Sequence, residues 1–324
     1  MPLRIFRSLA EVPPDFGPSA LTIGNFDGLH AGHRRILRRV RELAAARQLR
    51  PSALTFDPHP TRVVRPDRAP PLMTTCDERA ALMADEGIEQ VLILPFGPEI
   101  AQLSPEQFVS DILVNKLRVR VVAVGDNFRF GHRQAGNTDV LRQLGSRFGF
   151  TTEIVPAVTI RGVPVSSSEI RRLVTAGNVA RAARLLERPY SLQGDVVSGH
   201  GIGHKQTVPT LNLQPTAEVL PKNGVYITCT DDLDNRRRWQ SITNIGHRPT
   251  FGNDPAVSIE TFLLEPLTGD SPKRIQVSFL WRLRDERKFE NPEALKAQIL
   301  RDVGRANAYF RRLERFSHVA GPLR

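Results

Sequence analysis

Hydrophobic and polar positions in the first 185 residues form short apolar runs separated by amphipathic stretches. Apolar residues crowd Leu21-Thr22-Ile23, Ser52 to Phe56, Val91 to Leu94, Val119 to Val124 and Thr152 to Val155. Runs of this length, bounded by polar turns, predict buried strands. Between them the period becomes helical. Ile36, Leu37, Val40, Leu43 and Ala44 share one face of a segment that starts near His33 and reaches Leu49. Further helices are expected over 77–86, 105–114 and 138–148. This alternation predicts a mainly parallel sheet covered by helices on both faces, with ligands at the carboxyl ends of its strands.

After Leu186 the rhythm changes. Glu187 to Ser191 reads as a junction, and short β-type runs follow at 194–197, 224–229, 239–245, 257–264 and 274–283, separated by Gly, Pro, Asn and Asp. The pattern predicts a small antiparallel barrel. A closing helix over 292–312 carries Leu295, Ile299, Val303 and Ala306 at helical spacing. Two domains are therefore expected, 1–186 and 187–324, which a chain of 324 residues accommodates.

Composition narrows the functional classes. The net charge of +11 admits nucleic acid, an anionic surface or anionic small molecules as partners. The densest basic runs are Arg34-Arg35 with Arg38-Arg39, and Arg236-Arg237-Arg238. The first borders a helix that already has an apolar face and is expected to be solvated. The second lies among Asp231, Asp232 and Asp234 and reads as an exposed hairpin turn. Neither interleaves with aromatic residues as a single-strand groove would, so no nucleic-acid partner is expected. Cys76 and Cys229 stand far apart and have no metal-ligand partner at short spacing, which points to a reducing cytoplasm. No apolar run approaches the roughly 18 residues of a membrane span, and Met1-Pro2-Leu3-Arg4 does not open a secretory signal.

Chemistry concentrates where strands hand over to loops. Gly24-Asn25-Phe26-Asp27-Gly28-Leu29-His30-Ala31-Gly32-His33 links a strand to a helix. Glycines allow close backbone approach to a phosphate, a helix N-terminus offers free N–H groups, and imidazoles donate to phosphoryl oxygens. No Lys-Ser or Lys-Thr follows, so this is not a P-loop; it reads as an ATP site for breaking a phosphoanhydride. Phe56-Asp57-Pro58-His59-Pro60 forms a stiff loop. In Gly125-Asp126-Asn127-Phe128-Arg129-Phe130-Gly131, Asp126 and Asn127 suit the polar edge of a ring and Phe128 its face. Ser166, Ser167 and Arg171 sit where a helix begins and suit a polyphosphate.

In the second half, Gly199-His200-Gly201-Ile202-Gly203-His204-Lys205 is glycine-rich and basic, and Thr207-Val208-Pro209-Thr210-Leu211-Asn212 follows. In an extended segment Thr210 and Asn212 share one side, where a hydroxyl and an amide oxygen suit Mg²⁺.

The first loop resembles the HxGH signature of the nucleotidyltransferase superfamily. The whole chain resembles the bacterial bifunctional riboflavin kinase/FAD synthetases. The resemblance implies a Rossmann-like α/β nucleotidyltransferase domain followed by a riboflavin-kinase β-barrel with a C-terminal helix. It also implies two reactions: riboflavin plus ATP gives FMN, and FMN plus ATP gives FAD and pyrophosphate. Gly24, Asn25, Phe26, Gly28, Gly32, Ser166 and Ser167 then fall on the ATP site of the transferase. His30, His33 and Arg171 fall on its catalytic positions, and Phe56, Pro58, Asp126, Asn127 and Phe128 on its flavin-contacting segments. In the kinase half, Gly199, Gly201, Gly203 and Lys205 fall on the ATP loop, Thr210 and Asn212 on the Mg²⁺ ligands, and Glu260 on the catalytic base. Gly224-Val225-Tyr226 and Asn244 to Phe251 match further segments. Two departures stand out: Thr207 where relatives commonly have glycine, and Thr268-Gly269 where they commonly have an aromatic-glycine element. Two alternatives are an adenylyltransferase whose barrel binds flavin without phosphorylating it, and a non-enzymatic basic nucleic-acid-binding module.

Overall fold

The computed structural model describes residues 2–197, 210–248 and 256–320. Contacts divide the chain into two compact units, Met1–Glu169 and Ile170–Arg324. The first holds a six-stranded sheet of β1 (Arg4–Phe6), β2 (Ser19–Ile23), β3 (Arg50–Asp57), β4 (Gln90–Pro95), β5 (Val119–Gly125) and β6 (Thr151–Val155). Its spatial order is β1-β4-β3-β2-β5-β6, and every neighbouring pair is parallel. The helical elements are α1 (Ala31–Arg47), the short α2 (Pro60–Val64), α3 (Cys76–Asp85), the short α4 (Pro98–Ala101) and α5 (Pro105–Gln107), and α6 (Thr138–Phe148). A small hairpin, β7 (Thr159–Ile160) and β8 (Val163–Pro164), leads into α7 (Ser167–Thr175).

The two-residue period of the strands divides the core in two. Leu21, Ile23, Leu54, Leu92, Leu94, Val122 and Val124 pack on one face with Phe108, Val109, Ile112 and Leu113. Ala20, Ala53, Val91, Ile93, Val121 and Ala123 pack on the other with Leu37, Val40, Leu43 and Ala44 of α1 and Ala80 and Met83 of α3. The helix expected over 105–114 is only α5 at its start and continues as a π-helix over Phe108–Lys116. The wider turn aligns Phe108 and Val109 with Ile112 and Leu113 on the sheet. Arg34 and Arg38, expected on a solvated face, instead pair with Glu86 at 2.5 and 2.8 Å, tying α1 to the end of α3.

Strand order positions the loops. The chain steps from β2 to β3 on one side and returns to β5 on the other, so β2 stands at the topological switch point. The carboxyl ends of β3, β2 and β5 are therefore adjacent, although 34 to 102 residues separate them in sequence.

The second unit is a closed antiparallel barrel of β9 (Tyr190–Val197), β10 (Thr210–Pro215), β11 (Gly224–Asp232), β12 (Arg238–Arg248), β13 (Ala256–Leu263) and β14 (Arg274–Arg284), in the order β10-β13-β12-β11-β14-β9. Inside it, the fully buried hydroxyls of Thr228, Thr230, Ser241, Thr243 and Thr261 bond to one another at 2.8–2.9 Å. Outside, Val225, Ile227, Ile242 and Leu283 pack under Ala306 and Phe310 of α9 (Pro292–Ala320). The apolar stripe expected on this helix holds only in part: Val303 and Ala306 pack, whereas Leu295 and Ile299 are exposed. That end of α9 buries Gln298 and Asp302 instead, because Arg284 grips the Asp302 carboxylate with two nitrogens at 2.9 Å. A further helix, α8 (Val179–Leu186), packs against β14 and β9, so the contact division falls before it, at Glu169/Ile170. The basic run at 236–238 lies in the β11–β12 hairpin, where buried Asp232 accepts from the N–H groups of Asp234 and Asn235. Among the described residues, no helix is long and apolar enough to cross a membrane.

Candidate active sites

The loop from Gly24 to His30 is a tight, locally strained turn. The φ angles of Phe26, Gly28 and Leu29 are +52°, +75° and +35°, a region that side chains other than glycine disfavour. The positive φ favours glycine at position 28, where a Cβ would also press on the flexible end of Met73, 2.5 Å from its Cε. His30 ends the turn as the N-cap of α1, its Nδ1 accepting from the His33 N–H at 3.3 Å. In the neutral ring that bond leaves the proton on Nε2, a donor type suited to a phosphoryl oxygen. The His30 and His33 rings stack with centroids 3.6 Å apart and planes inclined by 13°. Gly32 permits this: a Cβ there would lie 3.2 Å from the His30 ring. Burial, and then the neighbouring His30, hold the His33 pKa well below its ordinary 6.5, so the ring is neutral at pH 7. Its Nδ1 is buried without a hydrogen-bond partner. Phe26, expected to meet ATP, has its ring buried and set edge-on to His33, with centroids 5.1 Å apart. That side chain packs against an imidazole.

A second motif meets this loop from 140 residues away. Ser166 caps α7, its Oγ accepting from the Glu169 N–H at 3.2 Å. The Ser167 hydroxyl donates to the main-chain carbonyl of Asp27 at 2.9 Å. The serine-rich helix start and the histidine loop are thus directly bonded. Arg171 lies one turn further along α7 and is half-buried.

The adjacent strand ends contribute the remaining first-unit candidates. Phe56 is half-buried and sets its ring edge-on to Phe96, with centroids 5.5 Å apart; Pro58 is exposed. After β5, the Asp126 carboxylate accepts from the Ala157 N–H at 3.2 Å, and Asn127 is exposed with its amide oxygen folded back toward Gly125. Phe128 is half-buried and stacks on Phe130, with centroids 5.4 Å apart. His59 stands in the stiff loop that follows β3. It is buried, accepts from the Thr61 N–H through Nδ1 and meets the Asn25 amide through Nε2 at 3.0 Å. The Asn25 atom that faces Nε2 is the amide nitrogen, Nδ2. Paired glycine and histidine spacing marks the first loop in sequence, but nothing local marks the contact of His59 with Asn25, 34 residues away in the chain.

In the barrel, register assembles a polar row. Asn212 of β10 faces Glu260 of β13, and Glu260 faces Asn244 of β12. Directly opposed residues share a face, so the three side chains line up across three strands. That face is external: Ile242, two residues from Asn244, packs under α9, whereas Thr243 and Thr261 bond inside. Thr210 lies on the same side of β10 as Asn212. Thr210 and Asn212 offer a hydroxyl and an amide beside a carboxylate, a donor set that suits a hard cation. Among the described residues, no group of three His, Cys, Asp or Glu could hold a metal ion. Asn244 was legible only as part of a matching segment; register gives it its place. Gly199, Gly201, Gly203, Lys205, Thr207 and Pro249 to Phe251 lie outside the described residues.

Comparison with known proteins agrees with both halves. Residues 13–169 match the FAD synthetase family model, and residues 186–310 match the riboflavin kinase family model. The chain is 36% identical over 307 residues to the bifunctional riboflavin kinase/FMN adenylyltransferase of Pseudomonas fluorescens, covering 94% of this chain and 97% of that protein. It is 34% identical over 308 residues to the protein of the same name from Escherichia coli K12, covering 95% and 97%. A crystal structure described as a macrolide-efflux protein from Streptococcus pneumoniae superposes with a TM-score of 0.81 at 23% identity, over 93% of this chain and 97% of that one; this likeness shows a shared fold. With near-complete coverage of its relatives and a family match in each half, the chain belongs to the bifunctional riboflavin kinase/FMN adenylyltransferase family.

Proposed function

We propose that this chain makes both flavin cofactors: the barrel transfers the γ-phosphoryl group of ATP to riboflavin, and the first unit joins the resulting FMN to AMP, releasing pyrophosphate. The observation that carries the second reaction is the bond from Ser167 to the Asp27 carbonyl, since it ties the serine-capped helix to the loop that bears the stacked imidazoles. The FMN phosphate is already ionised at neutral pH and needs no strong base. The chemical task is positioning and charge stabilisation at the α-phosphorus. His30 donates through Nε2 to the phosphoryl oxygens with His33 stacked behind it, while Ser166, Ser167 and Arg171 hold the departing pyrophosphate. Gly24, Gly28 and Gly32 let the backbone approach the nucleotide, and Phe56, Pro58, Asp126, Asn127 and Phe128 receive the flavin. In the barrel, Glu260 accepts the riboflavin hydroxyl proton, and Gly199, Gly201, Gly203 and Lys205 cradle ATP. Thr210 and Asn212 would hold Mg²⁺, which offsets polyphosphate charge when bound. The partners are riboflavin, FMN and ATP, without nucleic acid or membrane, and the setting is a reducing cytoplasm, in keeping with free Cys76 and Cys229.

The test is direct. Purified protein incubated with riboflavin, ATP and Mg²⁺ should accumulate FMN and then FAD on chromatographic separation. FAD from added FMN, with riboflavin left untouched, would reduce the barrel to a binding domain; absence of any product would reject the proposal. Replacing both His30 and His33 by Ala should abolish FAD formation and leave riboflavin phosphorylation running.

A further inference from the structure

Arg79 of α3 is 1% exposed and points at the back of the histidine loop. Its Nη1 donates to the Asn25 carbonyl at 2.6 Å and to Thr55 Oγ1 at 3.1 Å, its Nε to the Thr75 carbonyl at 3.3 Å, and its Nη2 to Cys76 Sγ at 2.8 Å. The Thr55 hydroxyl in turn donates to the same Asn25 carbonyl at 3.3 Å. Among the described residues no carboxylate pairs with this guanidinium. Burial pushes the Cys76 thiol up, so its sulfur brings no compensating charge, and the Asp57 carboxylate acts on that thiol. Burying an unpaired cation is expensive, so a purely structural site would favour an apolar side chain.

What the arginine holds explains its presence. Asn25 precedes three residues with positive φ, two of them non-glycine. Such backbone persists only where surrounding contacts over-determine it. The segment leading into α3 supplies those contacts. The Asp27 carboxylate accepts from the N–H groups of Met73 and Thr74 at 3.0 and 3.1 Å, and Thr74 Oγ1 accepts from the Gly28 N–H at 3.1 Å. Arg79 fixes the entrance of the turn, Thr74 and Asp27 its middle, and His30 leaves it as the cap of α1. A rigid fork with several donors can satisfy a carbonyl, a hydroxyl and a second carbonyl at once; a lysine ammonium cannot match that geometry.

We propose that Arg79 is a positioning residue for FMN adenylylation, acting through the Asn25 carbonyl to hold the strained turn that presents His30 and His33. This rests on the adenylyltransferase reading of the first unit, and the barrel provides an internal control on the same chain. Arg79→Lys and Arg79→Met should lower kcat for FAD formation from FMN by about 10²-fold, the scale of a misplacement of roughly 1 Å. The KM for ATP and FMN should stay within about threefold, and riboflavin phosphorylation within about twofold. If the arginine variants do not fold, Thr55→Val removes the second donor to the same carbonyl and should lower the same kcat more modestly, with Thr55→Ser restoring it. Wild-type kcat in a folded Arg79 variant would overturn the proposal. So would a rise confined to the ATP KM, an equal loss of both activities, or a Thr55→Val variant matching wild type. If the unmodified protein makes no FAD at all, the failure lies with the adenylyltransferase reading itself.

Discussion

His33 links a stacking geometry to a measurable pH dependence. Its folded pKa lies below 6.5 because burial, and then His30, disfavour the charged ring. The unfolded chain therefore binds a proton that the folded chain refuses as pH falls below about 6.5. The stability that depends on a neutral His33 is complete above that pH and declines from 6.5 toward the folded value. Thermal melts between pH 7.5 and 5.5 should fall more steeply for the wild type than for His33→Gln; parallel curves would contradict the assignment. The Gly-rich loop, both histidines and the serine cap were visible in the sequence because each carries a local signature. Phe26 stands in the same motif, but its φ is left-handed and its side chain is buried, with the ring edge-on to His33. Arg79 belongs to no local motif. Its one signal was a charge between Cys76 and Ala80 on an otherwise apolar face of α3.

Helix registry shows where charge patterning misleads. Arg34 and Arg38 lie one turn apart on α1, and an arginine pair beside an apolar face reads as solvent-facing. Their common partner, Glu86, is 48 residues from Arg38 and comes from the end of α3, and its side chain is 6% exposed. Removing one member of a buried ion pair leaves the others uncompensated, typically at about 3–5 kcal/mol. Arg38 is nearly half-exposed, which screens its share. Glu86→Ala should accordingly destabilise the first unit by about 2–3 kcal/mol in urea titration. A change below about 0.5 kcal/mol would show that the pair contributes little. The same lesson applies to α9, where the Arg284–Asp302 pair and Gln298 occupy the buried face near Leu295 and Ile299.

Two units with separate cores and separate polar constellations should carry separable activities. Glu260→Gln keeps the size of the side chain and removes the base, so riboflavin phosphorylation should fall by about 100-fold or more while conversion of supplied FMN to FAD continues. A folded variant that loses both reactions equally would argue against independent sites. Sequence by itself determined the layer architecture: apolar periods of two and of 3.6 dictate which faces bury, and that physics is local to each segment. It also exposed the motifs whose residues are close neighbours in the chain, from Gly24 to His33 and from Ser166 to Arg171. Only the tertiary structure decided what those motifs touch. The strand order that gathers the ends of β3, β2 and β5, the bond from Ser167 to Asp27, the row of Asn212, Glu260 and Asn244, and the grip of Arg79 on Asn25 all join distant segments. Their partners are selected by packing and register, which no local pattern encodes.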